Sequence, residues 1–347
     1  MRDSRFSIAK IINRSYKQSW GDKEEKIMRG LKILLLLLSL ILISTSSYAK
    51  ERIIVFHAGS LSIPFDKISK VFEKKYKNYT LVREASGSRM AARKISDLHK
   101  PCDVMASADY SVISNLLMDT HNAKFNALFA TNSMAIVFTT KSRYADKINS
   151  QNWSRILLKK GVIIGHSNPN DDPCGYRAML VSKLAEKYYK MDNFFKKLFG
   201  YPDYYSNGME KKGKVIVRPK ETDLIALLEM HAIDYLFLYK SVAIQHHLKY
   251  IDLPPEISLA SKKYAKLYKT VSFKVSGKKP GTFIIKKGAP MIYGITIPQN
   301  ESSPINKKGA KLLVNFILSK KGQLIIKSCG QGVINPPEII GDNSILK

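Results

Sequence analysis

A β-branched run, Ile53-Ile54-Val55-Phe56, stops at the small-residue turn Ala58-Gly59-Ser60 and passes directly into a helix signal from Leu61 onward. A strand that feeds a helix through so short a turn points to α/β packing, and it also prepares a place for an anion. The first turn of a helix leaves N–H groups without partners and a partial positive charge; Gly59 lets a ligand approach the backbone and Ser60 adds a hydroxyl. Gly and Ser also favour turns for conformational reasons alone. Recurrence of the same unit along the chain gives it weight.

The spacing predicts a second unit: a strand from Thr80 to Ala85, the turn Ser86-Gly87-Ser88, and a helix carrying Met90, Ile95 and Leu98. A third runs through Asp103-Val104-Met105 and Ala106-Ser107-Ala108 into a helix through Leu117, for which Asp109 is the expected N-cap. The fourth joins Val162-Ile163-Ile164-Gly165 to a loop and a helix with Leu180, Leu184 and Tyr188 at apolar positions. There Asp172 before Pro173 pairs an N-cap with a first helical residue, so a purely structural role competes with a ligand role. A fifth joins Val215-Ile216-Val217 to Glu221 and Thr222 at a helix start, and Glu221 is open to the same two readings. A final strand, Ile233 to Tyr239, puts Tyr235, Phe237 and Tyr239 on one face. Tyr239 reaches the carboxyl edge, where ligands collect in open α/β sheets; packing as an amphipathic tyrosine is the alternative.

Strands alternating with helices, twice over, predict two α/β lobes. Thr131 to Phe138 reads as a strand leaving the first lobe for the second. Met291 to Ile297, a helix from Lys307 to Lys320 and a Gly-punctuated tail return to complete the first. Residues 255–290, rich in Lys, Pro and Gly, carry no clear pattern. The expected boundaries are 50–132 plus about 257–347 for lobe I and 133–256 for lobe II, with 1–49 set apart; a chain of 347 residues is long enough for two cores.

Residues 1–49 read as a targeting segment. Ile33 to Ile43 is an apolar run preceded by Lys26, Arg29 and Lys32 and followed by Ser47-Tyr48-Ala49, the pattern of a signal peptide. The run is shorter than the ~18–20 residues a spanning helix needs, and an uncleaved N-terminal anchor is the alternative. Met28 sits just before this basic region, so residues 1–27 read as the product of an upstream start site. Of 57 Lys and Arg and 28 Asp and Glu, nine and four precede residue 50, which leaves a mature chain of about +24. That charge admits nucleic acid, an anionic membrane surface or small anions as partners, and export demotes nucleic acid. Cys102, Cys174 and Cys329 are too few and too widely spaced for a disulfide framework or a zinc site; at most one bridge is expected, with no preferred pair.

The string His57-Ala58-Gly59-Ser60-Leu61, then Glu84-Ala85-Ser86-Gly87-Ser88 with Ala92-Arg93-Lys94-Ile95, then Cys102-Asp103-Val104 and Ala106-Ser107-Ala108-Asp109-Tyr110, resembles the tungstate/molybdate-binding proteins of ABC importers. Phe129-Ala130-Thr131-Asn132, Asn168 to Arg177 and Pro219-Lys220-Glu221-Thr222-Asp223 extend the likeness over most of residues 52–255 and, more loosely, the C-terminal segment. It implies a bilobal periplasmic-binding-protein fold of type II, two α/β lobes joined by crossover strands, with the ligand in the cleft. Such a protein closes on one oxyanion and delivers it to an ABC permease, without chemistry on the ligand. The expectation is therefore a protein exported to the periplasm or the outer face of the cytoplasmic membrane, a monomer, with tungstate or molybdate as ligand, no cofactor and no nucleic-acid partner. Carried over position by position, Gly59, Ser60 and Ser88 hold the anion from lobe I, and Asp172, the Cys174 amide, Glu221 and Tyr239 meet it from lobe II. Asp172 and Glu221 are the carboxylates implied to reach the tungsten or molybdenum centre, expanding it from tetrahedral to octahedral. Asp171 remains an alternative to Asp172, and Ser86 to Ser88; tungstate is not separated from molybdate.

Carboxylates at ~4 Å from a dianion repel it by several kcal/mol in a poorly screened cleft. Sulfate and phosphate cannot add ligands at their central atom, whereas tungsten and molybdenum in their highest oxidation state accept hard oxygen donors. The same pair would then attract the metal oxyanions and reject commoner ones. Two rivals stand beside this reading. One is a binder for a hard cation such as ferric iron, using Asp172, Glu221, Tyr239 and Tyr176; the Ser/Gly turns at helix starts weigh against it. The other is an exported serine hydrolase with Ser60 as nucleophile and His57, His166 or His231 as base. Against it stand the three-residue spacing of His57 and Ser60 and the lack of a Gly-x-Ser-x-Gly elbow.

Overall fold

Strand β1, Glu51–Ala58, is buried continuously from Val55 except at its start, because it lies inside a sheet with parallel neighbours on both sides: β2, Tyr79–Ser86, and β3, Val104–Ser107. Strands covered on both faces read as unbroken apolar runs rather than alternating ones, which is the pattern Ile53 to Phe56 shows. The computed structural model describes residue 23, residues 25–36 and 49–277, residue 279 and residues 281–347. The chain divides into Met1–Ala49 and Lys50–Lys347. In the first unit residues 25–36 are helical and exposed. Among the described residues no helix is long and apolar enough to cross a membrane; most of the expected leader, including the end of its apolar run, lies outside the described residues.

The second unit holds two principal sheets. In the six-stranded sheet the order is β13-β4-β12-β3-β1-β2, with β4 at Phe125–Thr131, β12 at Ile292–Thr296 and β13 at Gly332–Gly341. β12 runs antiparallel to both β3 and β4, so the returning chain is sewn into the first sheet. The five-stranded sheet has the order β7-β6-β8-β5-β9, with β5 at Met134–Phe138, β6 at Ile164–Ser167, β7 at Val215–Arg218, β8 at Tyr235–Tyr239 and β9 at Lys249–Asp252. Here too the parallel pairs, β6 with β7 and with β8, sit on one side, and β5 joins antiparallel, Met134 opposite Tyr239. Only Asn132 and Ser133 separate β4 from β5, so the first sheet passes to the second through a two-residue joint. This is the two-lobed architecture of the type II binding-protein fold.

Helices cover the sheets through apolar stripes. In Ser62–Lys75 the buried residues Phe65, Ile68 and Phe72 recur at helical spacing, while Lys74 and Lys75 complement the dipole in the last turn. Each such side chain contributes about 1.5–3 kcal/mol by leaving water. Phe72 also meets Phe316 edge-on at 5.7 Å, tying this helix to Lys307–Leu318.

Several boundaries differ from expectation for local reasons. The helix expected to run to Lys320 stops at Leu318, because Ser319 is extended and its side chain caps a new helix, Lys320–Ser328. The tail that follows forms β13, whose Pro336 and Pro337 are tolerated because it is an edge strand with a register shift between Val333 and Glu338. Residues 255–290 contain a hairpin of β10, Ser272–Ser276, and β11, Phe283–Lys287. Phe273 and Val275 alternate with exposed Lys274, a signal too short to stand out among lysines. All three cysteines are buried and free.

Candidate functional site

The turns after β1, β2, β6 and β7 and the end of β8 converge between the two sheets. Gly59 opens a single 3-10 turn, Gly59–Leu61, and a Cβ built on it would lie 2.8 and 2.9 Å from the two carboxylate oxygens of Glu221 across the cleft. Gly87, between β2 and the helix Ser88–Ser96, abuts Asp171 and Asp172 of the other lobe. The Arg89 and Met90 amides donate to the Asp171 carbonyl at 3.0 and 3.2 Å. In the opposite direction Arg177 Nη1 reaches the Ala108 carbonyl at 2.8 Å, and the Tyr176 hydroxyl donates to Asp109. The arrangement is a closed one, with the expected residues of both lobes brought together.

Asp172 caps the helix Pro173–Tyr188: Oδ1 accepts from the Cys174 amide at 3.1 Å, while Oδ2 accepts from the Glu221 amide at 3.0 Å. The structural reading of Asp172 is therefore correct, and it also places this carboxyl beside Glu221. Asp171 instead turns its carboxylate to Asn168, 2.7 Å away. The Cys174 amide, also expected at the ligand, is the donor in the Asp172 cap. Glu221 does not cap. It lies in the first turn of the 3-10 segment Glu221–Leu224, is 1% exposed, and among the described residues neither of its carboxylate oxygens has a hydrogen-bond partner. Burial, and then the charge of Asp172, push its pKa well above the ordinary carboxylate range. Burial raises Asp172 as well. A buried carboxyl pair with one member unsatisfied costs stability unless something supplies positive charge or donors.

Three buried hydroxyls belong to the site, and those of Ser88 and Tyr239 are already supplied with a hydrogen by the protein. Ser88 Oγ accepts from the Ala108 amide at 3.0 Å. Tyr239 OH accepts from Arg177 Nη1 at 2.9 Å. Ser60 Oγ lies 2.9 Å from Tyr293 OH. A hydroxyl that accepts from the protein keeps its own hydrogen for a ligand. Ser86 Oγ and Ser167 Oγ are also buried without partners among the described residues, so the Ser86 alternative has an uncommitted hydroxyl as well. Arg177 carries the positive charge of the site. Burial opposes its charge, but Tyr239, Tyr176 and Asp109 keep its pKa above the usual guanidinium value. Sequence reasoning missed Arg177, Ser167, Asn132 and Tyr293 as site residues. Ser167, last in β6, could have been found by the carboxyl-edge rule that selected Tyr239; Tyr293 arrives on the returning strand with no local signal.

The histidines do not form a catalytic pair. His57 Nδ1 donates to its neighbour's carbonyl, Ala58 O, at 2.9 Å and stacks on Phe65, and His166 Nδ1 donates to Ser167 O at 2.8 Å with Nε2 facing Tyr201 OH. Burial lowers both to about 4 from 6.5. The unfolded chain takes up these protons first, so their contribution to stability is present above pH 6.5 and is lost as pH falls toward 4. A melting series from pH 7 to 4 should show a decline of roughly 5–10 °C, flattened in His166→Gln. Among the described residues no group of three or more His, Cys, Asp and Glu side chains is disposed to hold a metal ion.

A family profile described as bacterial extracellular solute-binding protein matches residues 53–330. The chain belongs to this family. The solute-binding protein is 50% identical over 286 residues to an uncharacterized solute-binding protein of Petrotoga mobilis, covering 82% of this chain and 85% of that one. It is 41% identical to the molybdate/tungstate-binding protein WtpA of Pyrococcus abyssi, over 84% of this chain and 87% of the relative. In fold it is similar to the periplasmic molybdate-binding protein of Azotobacter vinelandii, with a TM-score of 0.55 and 16% identity over 80% of this chain and 98% of the other.

Proposed function

We propose that this solute-binding protein captures tungstate or molybdate between its two lobes outside the cytoplasm and delivers it to an ABC permease, acting as a monomer and catalysing nothing. The observation that carries the reading is the pair Glu221 and Asp172 beside the hydroxyls of Ser88 and Tyr239, which already accept from the protein and keep their own hydrogens to donate. Donors from Ser60, Ser88 and Tyr239 suit the oxygens of an anion. A carboxylate with two unsatisfied oxygens suits its centre only if that centre accepts ligands, which tungsten and molybdenum do and sulfur does not. The name of the Pyrococcus abyssi relative supports the same ligand class. The ferric reading loses support because Tyr176 is committed to Asp109 and Tyr239 lies against a guanidinium, whose charge repels a cation. Export to the periplasm or the outer face of the cytoplasmic membrane is supported by the family's extracellular description and by the basic-apolar pattern of a leader within residues 1–49.

Calorimetric titration with tungstate, molybdate, sulfate and ferric iron tests the proposal directly. Heat is expected with the first two and far weaker binding with sulfate. Binding of iron alone would overturn it.

A further inference from the structure

We propose that Asn132 and Tyr293 form a one-way hydrogen-bond relay that makes Ser60 an obligate donor to the bound oxyanion, rooted in the joint between the two sheets. This rests on the oxyanion reading and adds two positioning residues to it.

The direction of every bond in the relay is fixed by its neighbours. Asn132 Oδ1 accepts from the Ser133 amide at 2.9 Å and from the Ser241 amide at 3.4 Å. Backbone amides cannot accept, so the Asn132 side chain is oriented with Nδ2 on its other side. That nitrogen donates to Ser241 Oγ at 2.7 Å and to Tyr293 OH at 2.9 Å. A phenol has one hydrogen. Tyr293 OH receives from Asn132 and has, among the described residues, Ser60 Oγ as its remaining partner, so its hydrogen goes to Ser60. Ser60 Oγ thus accepts, and its own hydrogen is left for a ligand. Gln331 Nε2 holds the Ser60 carbonyl at 3.1 Å, keeping the turn in place. Ser60 and Tyr293 are fully buried and Asn132 nearly so, and in such surroundings hydrogen bonds polarise one another and rotation to a competing partner is costly.

The root of the relay matters for closure. Asn132 lies between the last residue of β4 and the first of β5, where the chain crosses from one sheet to the other. Its amide group holds Tyr293, on β12 of the first sheet, and Ser241, in the helix Lys240–Gln245 that follows β8 of the second. Rotation of the lobes about the joint therefore moves the group that sets the direction of the Ser60 hydroxyl, which links donor presentation to the closed state.

A double-mutant cycle in the full mature chain separates a relay from simple packing. Ser60→Ala should weaken tungstate by roughly 10–100-fold, the loss of a hydrogen bond to a charged group. Tyr293→Phe should weaken it by about 10-fold, because Ser60 loses its incoming hydrogen. The double variant should bind no more weakly than Ser60→Ala. Asn132→Asp, which turns the donor into an acceptor and reverses the relay, should also lose affinity and be masked by Ser60→Ala, and it carries the cycle if Tyr293→Phe does not fold. Multiplying losses in the double variants, or unchanged affinity in Tyr293→Phe or Asn132→Asp, would overturn the relay. Absence of tungstate and molybdate binding in the unaltered protein would instead overturn the functional reading beneath it.

Discussion

Glu221→Gln is expected to lower tungstate affinity by roughly 10²–10³-fold while sulfate binding is unchanged or tightened. Glutamine has nearly the same shape and stays in the same 3-10 turn, so steric fit is kept. What changes is the chemistry of two oxygen atoms that have no hydrogen-bond partner of good geometry among the described residues. A carboxylate repels every oxyanion through space and can recover that loss only by bonding to the central atom, so its removal separates anions that accept a fifth and sixth ligand from those that do not. Equal losses for tungstate and sulfate would mean that Glu221 serves only to shape the cleft. The ligand-free variant carries a second consequence. With a neutral amide facing Gly59, the closed arrangement no longer has to desolvate or protonate a carboxylate beside Asp172, so ligand-free Glu221→Gln should be more compact in solution scattering and melt higher than the unaltered protein. The residue would thus lower closed-state stability to gain ligand selectivity.

How much of this was legible in the sequence depends on the range over which each feature is encoded. The strand-turn-helix units at Gly59, Ser88, Asp172 and Glu221 are local: a β-branched run, small residues and a cap signal lie within about ten residues of one another, and the structure places these four turns together. Asp172 shows the limit of that locality. Its capping role follows from Pro173, but its second oxygen accepts from the Glu221 amide, a partner 49 residues away that no cap rule selects. The capping alternative for Glu221 had the same local support, and it was overruled by the fold, which turns the carboxyl into the cleft. The Cys174 amide is placed at the ligand by the family resemblance alone, and nothing local shows that it donates to Asp172. Tyr293 and Asn132 act through contacts 233 and 161 residues apart in sequence, so their roles appear only once β12 has returned between β3 and β4. The β10–β11 hairpin was missed for a different reason. One of its lysines, Lys286, is buried against Asp109 and Ser111 while Lys274 and Lys287 are exposed, so polarity there does not mark the surface.

Gly87→Ala should abolish closure while leaving both lobes folded, and should weaken tungstate by about 100-fold. Gly87 has an ordinary backbone, φ −57° and ψ 137°, which alanine adopts without strain. Within its own lobe the substitution is therefore mild. Across the cleft it is not. The added Cβ would lie 2.3 Å from the Asp171 carbonyl oxygen and 2.7 Å from its carbon, atoms of the backbone that cannot rotate away as a side chain would. That same carbonyl accepts from the Arg89 and Met90 amides, so pushing it back breaks two contacts by which the helix Ser88–Ser96 meets the other lobe. The collision exists only when the lobes are together, and its energy is subtracted from the part of binding that comes from the second lobe. Melting of the ligand-free variant should match the unaltered protein, the stabilisation by tungstate should largely disappear, and scattering with saturating ligand should show no compaction. A Gly87→Ala protein that still closes and binds normally would mean that the lobes engage the ligand with Asp171 further from Gly87 than it lies here, and that the cleft tolerates a looser closed state than its backbone contacts describe.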